Sequence, residues 1–172
     1  MRELCDSLAA GILKICEANN TKIACAESLT GGLLADAFVR IPGASNVLLG
    51  SAVTYDINAK ASILHVDKAL LDQEGAVHPE VARQMAVGTA RLYSQPEYGD
   101  RIIGLSTTGV AGPAPDDRGN PIGLVYLGIA WGDQCVVKAL HAGTMATRER
   151  VRNQAAQHSL DLLRRNLTGL PL

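Results

Sequence analysis

The sequence predicts an α/β domain in which a mixed sheet carries helices on both faces. Three observations lead there. Helical and strand-like segments alternate through most of the length, two apolar runs late in the chain flank a two-residue turn signal, and no linker, internal repeat or low-complexity segment interrupts the 172 residues. A chain of this length makes a single domain, 1–172, that buries its core without disulfides or a structural metal. Hydrophobic residues make up 47% and charged residues 19%, which is globular composition. One Phe and one Trp require the core to be built from Leu, Ile, Val and Ala.

Leu4, Leu8, Ile12 and Ile15 recur at helical spacing and predict an amphipathic helix over 2–19, ending at Asn19-Asn20. Lys22 to Ala26 reads as a short apolar strand. Ser28 follows as an N-cap, and the helix it opens runs from about Thr30 to Arg40, where Pro42-Gly43 ends it. Residues 47–54 predict a second buried strand. Asn58 to Leu64 forms a short helix, and Asp67 starts another that ends before Gly75. Pro79 in a first helical turn, with Val81, Met85 and Leu92 on one face, predicts a longer helix to about Ser94.

Arg101 to Thr107 is a third strand. Gly109 to Pro121 holds three glycines, three prolines and two aspartates, too many breakers for regular structure, and is expected to be a functional loop. Residues 123–131 and 134–141 flank Gly132-Asp133 and predict a β-hairpin, which makes the sheet mixed. From Ala146 the pattern is helical again, through Val151, Ala155, Leu160, Leu163 and Leu167, until Gly169-Leu170-Pro171.

Several function classes are disfavoured by the totals. A net charge of −1 gives no general affinity for nucleic acid or an anionic membrane. Cysteines at 5, 16, 25 and 135 form no CxxC pair and read as reduced, partly buried thiols. His65, His78, His141 and His158 stand singly, so no metal is expected. His78 lies just before Pro79, placed to cap the helix that follows. The charged amino terminus and the absence of an 18-residue apolar window predict a cytoplasmic protein with no membrane partner. Apolar surface on the first helix or the hairpin is expected to support a homo-oligomer, a dimer or higher.

The chemistry-bearing residues gather around Ala24-Cys25-Ala26-Glu27-Ser28-Leu29-Thr30-Gly31-Gly32. Here an apolar strand breaks into a turn, where backbone N–H groups can stabilise an anion. Tyr55 and Lys60 lie just past the second strand. If that strand pairs with the first, Ser28, Tyr55 and Lys60 share one rim, the place where open α/β sheets bind ligands. A serine hydroxyl needs a base, and a desolvated lysine with a lowered pKa can serve. A Ser28–Lys60 pair assisted by Tyr55 is adequate for amide hydrolysis. Each residue also has an ordinary structural explanation: a helix cap, a solvated charge, a packed ring. Ser106-Thr107-Thr108-Gly109-Val110-Ala111-Gly112-Pro113 repeats the design of strand, hydroxyls and glycines, and reads either as a ligand loop or as a Gly-Pro turn capped by Thr108. Arg148 and Arg152 share a helix face, while Arg150 points away.

Taken together, Ala26-Glu27-Ser28-Leu29-Thr30-Gly31-Gly32, Val53-Thr54-Tyr55 with Lys60, Gly75-Ala76-Val77, Thr108–Pro113 running on to Pro121-Ile122-Gly123, and the R-x-x-x-R of Arg148 and Arg152 resemble the CinA carboxy-terminal domain family. Its stand-alone members include nicotinamide-nucleotide amidohydrolases, the NMN deamidases of the pyridine nucleotide cycle. The resemblance covers about residues 5–168. It implies a three-layer α/β/α sandwich that hydrolyses the carboxamide of nicotinamide mononucleotide (NMN), with no metal or organic cofactor. By position it makes Ser28 the nucleophile, Lys60 the general base and Tyr55 an assisting group. Thr30, Gly31 and Gly32 would supply N–H groups near the oxyanion, and Thr108, Gly109, Ala111 and Gly112 would line the substrate pocket. Arg148 is the first candidate for phosphate or substrate binding and Arg152 the second.

Three departures stand out. Leu29 replaces the family's common Cys, His78 replaces the Ser of Gly-Ala-Val-Ser, and Ala142 to Thr147 replaces a shorter Gly-Asp. The last two bear on substrate identity. They leave open an amidase acting on another small carboxamide, or a non-catalytic nucleotide-binding module. The nucleotide-pyrophosphatase activity of longer relatives belongs to an amino-terminal domain for which 172 residues leave no room.

Overall fold

The computed structural model describes residues 2–169. In chain order it forms α1 (Arg2–Ala18), β1 (Lys22–Glu27), α2 (Leu33–Val39), β2 (Leu48–Val53), α3 (Ile57–Leu64), α4 (Lys68–Glu74), α5 (Pro79–Leu92), β3 (Ile102–Gly109), β4 (Leu124–Trp131), β5 (Gln134–His141) and α6 (Arg148–Thr168). The strands make one sheet in the order β2-β1-β3-β4-β5. β1 runs parallel to both β2 and β3, whereas β4 and β5 are antiparallel to their neighbours, so the expected hairpin and mixed sheet are present.

Alternation of side chains along β1 explains the layers. Ile23 and Cys25 point into a core shared with Ile12 of α1, Phe38 of α2 and Leu160 and Leu163 of α6. Ala26 faces the opposite way, into a second core with Leu64 of α3, Leu71 of α4 and Val81 and Met85 of α5. Helices therefore cover both faces, giving a three-layer α/β/α sandwich. Glycines let α5 approach its neighbours closely, Gly104 from β3 and Gly88 on α5 itself. A Cβ on Gly104 would strike the Ala86 carbonyl, and one on Gly88 would strike the Leu64 carbonyl. No helix among the described residues is long and apolar enough to cross a membrane.

Some boundaries and faces differ from the sequence-based expectation. The buried stripe of α1 is Cys5, Leu8, Ala9, Ile12, Leu13 and Cys16, and Leu4 is exposed, because α1 packs against both α2 and α6. Leu92 is exposed as well, lying at the last turn of α5. β2 is half-buried rather than buried, since an edge strand has a neighbour on one side only. β3 extends through Thr108 and Gly109, so these two belong to the sheet and not to the loop. Ser28 does not cap α2. That helix starts at Leu33, five residues later, behind a turn in which Gly31 and Gly32 have φ of 55° and 101°. α6 begins at Arg148, capped by Thr147, and ends at Gly169; Leu170 and Pro171 of the expected stop lie outside the described residues.

Candidate active site

β1 ends at Glu27 between β2 and β3. The Thr54 N–H donates to the Glu27 carbonyl and the Ser28 N–H donates to the Thr107 carbonyl, which holds Ser28 at the carboxyl edge of the sheet. β1 continues laterally into β2 on one side, while the chain returns to β3 on the other. This β1/β3 junction is the topological switch point where ligands bind in sheets of this order.

Lys60 reaches the same point from α3, whose N-cap Asp56 accepts the N–H groups of Asn58 and Ala59. The Lys60 side chain is fully buried, and its Nζ donates to the Thr54 carbonyl at 2.5 Å and to Ser28 Oγ at 3.0 Å. Burial disfavours the ammonium form and lowers the Lys60 pKa to about 8, although the Asp56 carboxylate acts in the opposite direction. At neutral pH about a tenth of such lysines are free amines. A free amine has a lone pair for the Ser28 proton, so the pair meets the chemical and geometric requirements of a nucleophile and its base.

Glu27 was legible only as a break in an apolar run, and it organises the turn. Its carboxylate is completely buried. Oε2 accepts the N–H groups of Gly32 and Leu34 at 2.9 and 3.1 Å, and Oε1 accepts the Ala35 N–H and the Ser51 hydroxyl, both at 2.9 Å. The start of α2 is thus satisfied from within, and the Gly32 N–H does not face the serine. Gly31 is engaged too, its N–H donating to the Ser28 carbonyl at 3.1 Å.

The other expected site residues are brought together, mostly on different partners. Tyr55 is largely exposed, and its hydroxyl accepts from Arg148 at 2.8 Å, so it is not hydrogen-bonded to Ser28 or Lys60. Arg148 also donates to the Gly112 carbonyl at 2.7 Å and so ties β2's exit to the glycine loop. Arg152 faces the serine turn and donates to the Leu29 and Thr30 carbonyls. Thr30 shares a 2.8 Å hydrogen bond with the Thr107 hydroxyl, and both side chains are buried.

Thr108 donates to the Ala76 carbonyl at 2.6 Å and fastens the Gly75-Ala76-Val77 segment to the end of β3. Gly109 is required by packing, since a Cβ there would lie 2.5 Å from the Leu124 carbonyl oxygen, and Ala111 is buried. Gly112 has φ of 92° and precedes Pro113, and Arg118 anchors the far side of the loop on the Asp72 and Gln73 carbonyls. His78 caps α5, Nδ1 accepting the Glu80 N–H at 3.2 Å. Among the described residues no three His, Cys, Asp or Glu side chains gather as a metal site.

Residues 5–167 match the family model described as the CinA C-terminal domain. A CinA-like protein of Frankia casuarinae is 41% identical over 167 residues, covering 96% of this chain and 36% of that protein. The chain spans roughly a third of the length of the curated relatives it matches. Among solved structures, the competence/damage inducible protein CihA of Agrobacterium tumefaciens superposes with a TM-score of 0.85 at 29% identity, covering 96% of both chains. A CinA superfamily protein of Escherichia coli gives 0.83 at 27% identity, covering 93% of this chain and 89% of that one.

Proposed function

Because this chain belongs to the CinA C-terminal domain family, we propose that it is a serine amidohydrolase that converts nicotinamide mononucleotide to nicotinate mononucleotide and ammonia. The observation that carries the reading is the 3.0 Å contact between Lys60 Nζ and Ser28 Oγ, both withdrawn from solvent at the switch point of the sheet. Nucleotide binding alone needs neither a buried amine nor a hydroxyl against it.

In the proposed mechanism neutral Lys60 takes the Ser28 proton as Oγ attacks the carboxamide carbon, and the carbonyl oxygen becomes an oxyanion. The ammonium of Lys60 returns that proton to the departing nitrogen, so ammonia leaves and an ester to Ser28 remains. Water, deprotonated by the same amine, then attacks the ester and releases the carboxylate and the serine hydroxyl. Arg148, held across the mouth by Tyr55 and Gly112, is the first candidate for the phosphate.

Ammonia release from NMN by the purified protein tests the reading directly. Ser28→Ala is expected to lower kcat at least about 10³-fold with its melting temperature retained; turnover equal to wild type in that variant would refute the serine mechanism. His78, a ring where the family carries Ser, favours one second reading, another small carboxamide as substrate. A panel of amides separates the two by kcat/KM.

The Lys60 environment also sets a pH dependence. Turnover is expected to rise with pH through an apparent pKa of about 8 as the amine is freed. Asp56→Asn keeps a good N-cap and removes the charge that opposes this shift. It should move the rising limb acid-ward by a few tenths of a unit, roughly the scale of one partly screened charge. An unmoved or alkaline-shifted limb in kcat/KM would exclude Lys60 as the titrating base.

A further inference from the structure

We propose that the oxyanion site is the N–H pair of Leu29 and Thr30, and that Arg152 is the positioning residue that aims it; this rests on the serine-hydrolase reading above. The turn from Ser28 to Gly32 has few backbone donors, and their partners can be accounted for one by one. The Ser28 N–H goes to the Thr107 carbonyl, that of Gly31 to the Ser28 carbonyl and that of Gly32 to Glu27. The N–H groups of Leu29 and Thr30, directly after the nucleophile, have no acceptor among the described residues.

A planar trans peptide points its C=O and its N–H in opposite directions. Arg152 Nε donates to the Leu29 carbonyl at 2.8 Å, and that carbonyl belongs to the same peptide unit as the Thr30 N–H. The Thr30 N–H is therefore turned away from Arg152. Arg152 Nη2 holds the next carbonyl, Thr30, at 3.0 Å, while the Ser28 carbonyl points inward to Gly31 and leaves the Leu29 N–H pointing out of the turn. The hydroxyl pair Thr30–Thr107 fixes the side chain of the same residue. A guanidinium suits this task because its fork spans two successive carbonyls, which a single ammonium cannot do.

The test uses two readouts, one independent of substrate identity. Attack of Ser28 Oγ on the phosphorus of a fluorophosphonate, with fluoride leaving, builds negative charge on a phosphoryl oxygen at the same site without NMN, and NMN turnover gives kcat and KM. Arg152→Gln is expected to slow labelling and to lower kcat by about 10²-fold, the cost of a misaimed donor, with KM within about threefold. Arg152→Lys should restore part of the labelling rate, and melting temperatures show that each variant folds. Labelling at the wild-type rate in folded Arg152→Gln, or a loss confined to KM, would overturn the proposal and make Arg152 a substrate contact. If Arg152→Gln does not fold, the Lys variant decides: labelling at the full wild-type rate overturns the assignment, and an intermediate rate at unchanged melting supports it. Normal labelling of wild type without NMN turnover leaves the oxyanion assignment standing and removes only the choice of substrate.

Discussion

Lys60→Met is expected to abolish turnover and, at neutral pH, to make the protein more stable. The catalytic loss follows from removing the group within reach of the Ser28 proton, and should be at least about 10³-fold in kcat. The gain in stability follows from the same burial. Folding lowers the Lys60 pKa from 10.5 to about 8, so the unfolded chain binds the proton more tightly than the folded one. The charge therefore destabilises the fold fully below pH 8, progressively less between pH 8 and 10.5, and not at all above.

A shift of this size corresponds to about 3 kcal/mol as an upper bound. Methionine fills nearly the same volume, although it leaves the Thr54 carbonyl without its donor, at a cost of about 1–2 kcal/mol. The net expectation is a gain of about 1–2 kcal/mol in urea melts at pH 7 that fades or reverses by pH 10.5. A variant less stable than wild type at pH 7 would show that the amine is not strained by its burial.

Glu27→Gln is expected to cost about 3–5 kcal/mol of stability and most of the activity. Both carboxylate oxygens each accept two donors, three of the four being backbone N–H groups at the start of α2. An amide keeps one acceptor and turns its NH2 on the other pair; even if the Ser51 hydroxyl rotates to accept from it, at least one backbone N–H is left unpaired in a buried site, and the charge that complements the helix terminus is lost. Ser28 is the next residue, so the same loosening displaces the proposed nucleophile. Denaturant melts and kcat on one preparation measure both effects. A change under about 1 kcal/mol would mean that the turn is held by other contacts.

The order of elements, the hairpin and the α/β class were legible because they rest on periodicity and on turn residues, which are local. The pairing of Ser28 with Lys60 was legible through spacing and the family's motif. What eluded the sequence were partners supplied by distant segments. Glu27 reads as a polar interruption until α2 and Ser51 fold around it, and the Thr54 carbonyl is invisible because backbone atoms carry no residue-type signal. Thr108 reads equally well as a ligand group or as a structural one, and its bond to Ala76 depends on where α5 docks. A charged or hydroxyl residue at the buried end of an apolar strand was the one available sign.

By itself, then, the sequence determined the alternation of helices and strands, the family and Ser28 and Lys60 as the candidate pair. Tertiary structure decided which way each polar group faces: Tyr55 toward Arg148, Arg152 toward the carbonyls of the serine turn, Glu27 toward the start of α2. The physical reason is that backbone periodicity is set within a few residues of chain. A hydrogen bond inside the fold is set by which groups must find partners once water is excluded, and those partners here come from as far as 123 residues away.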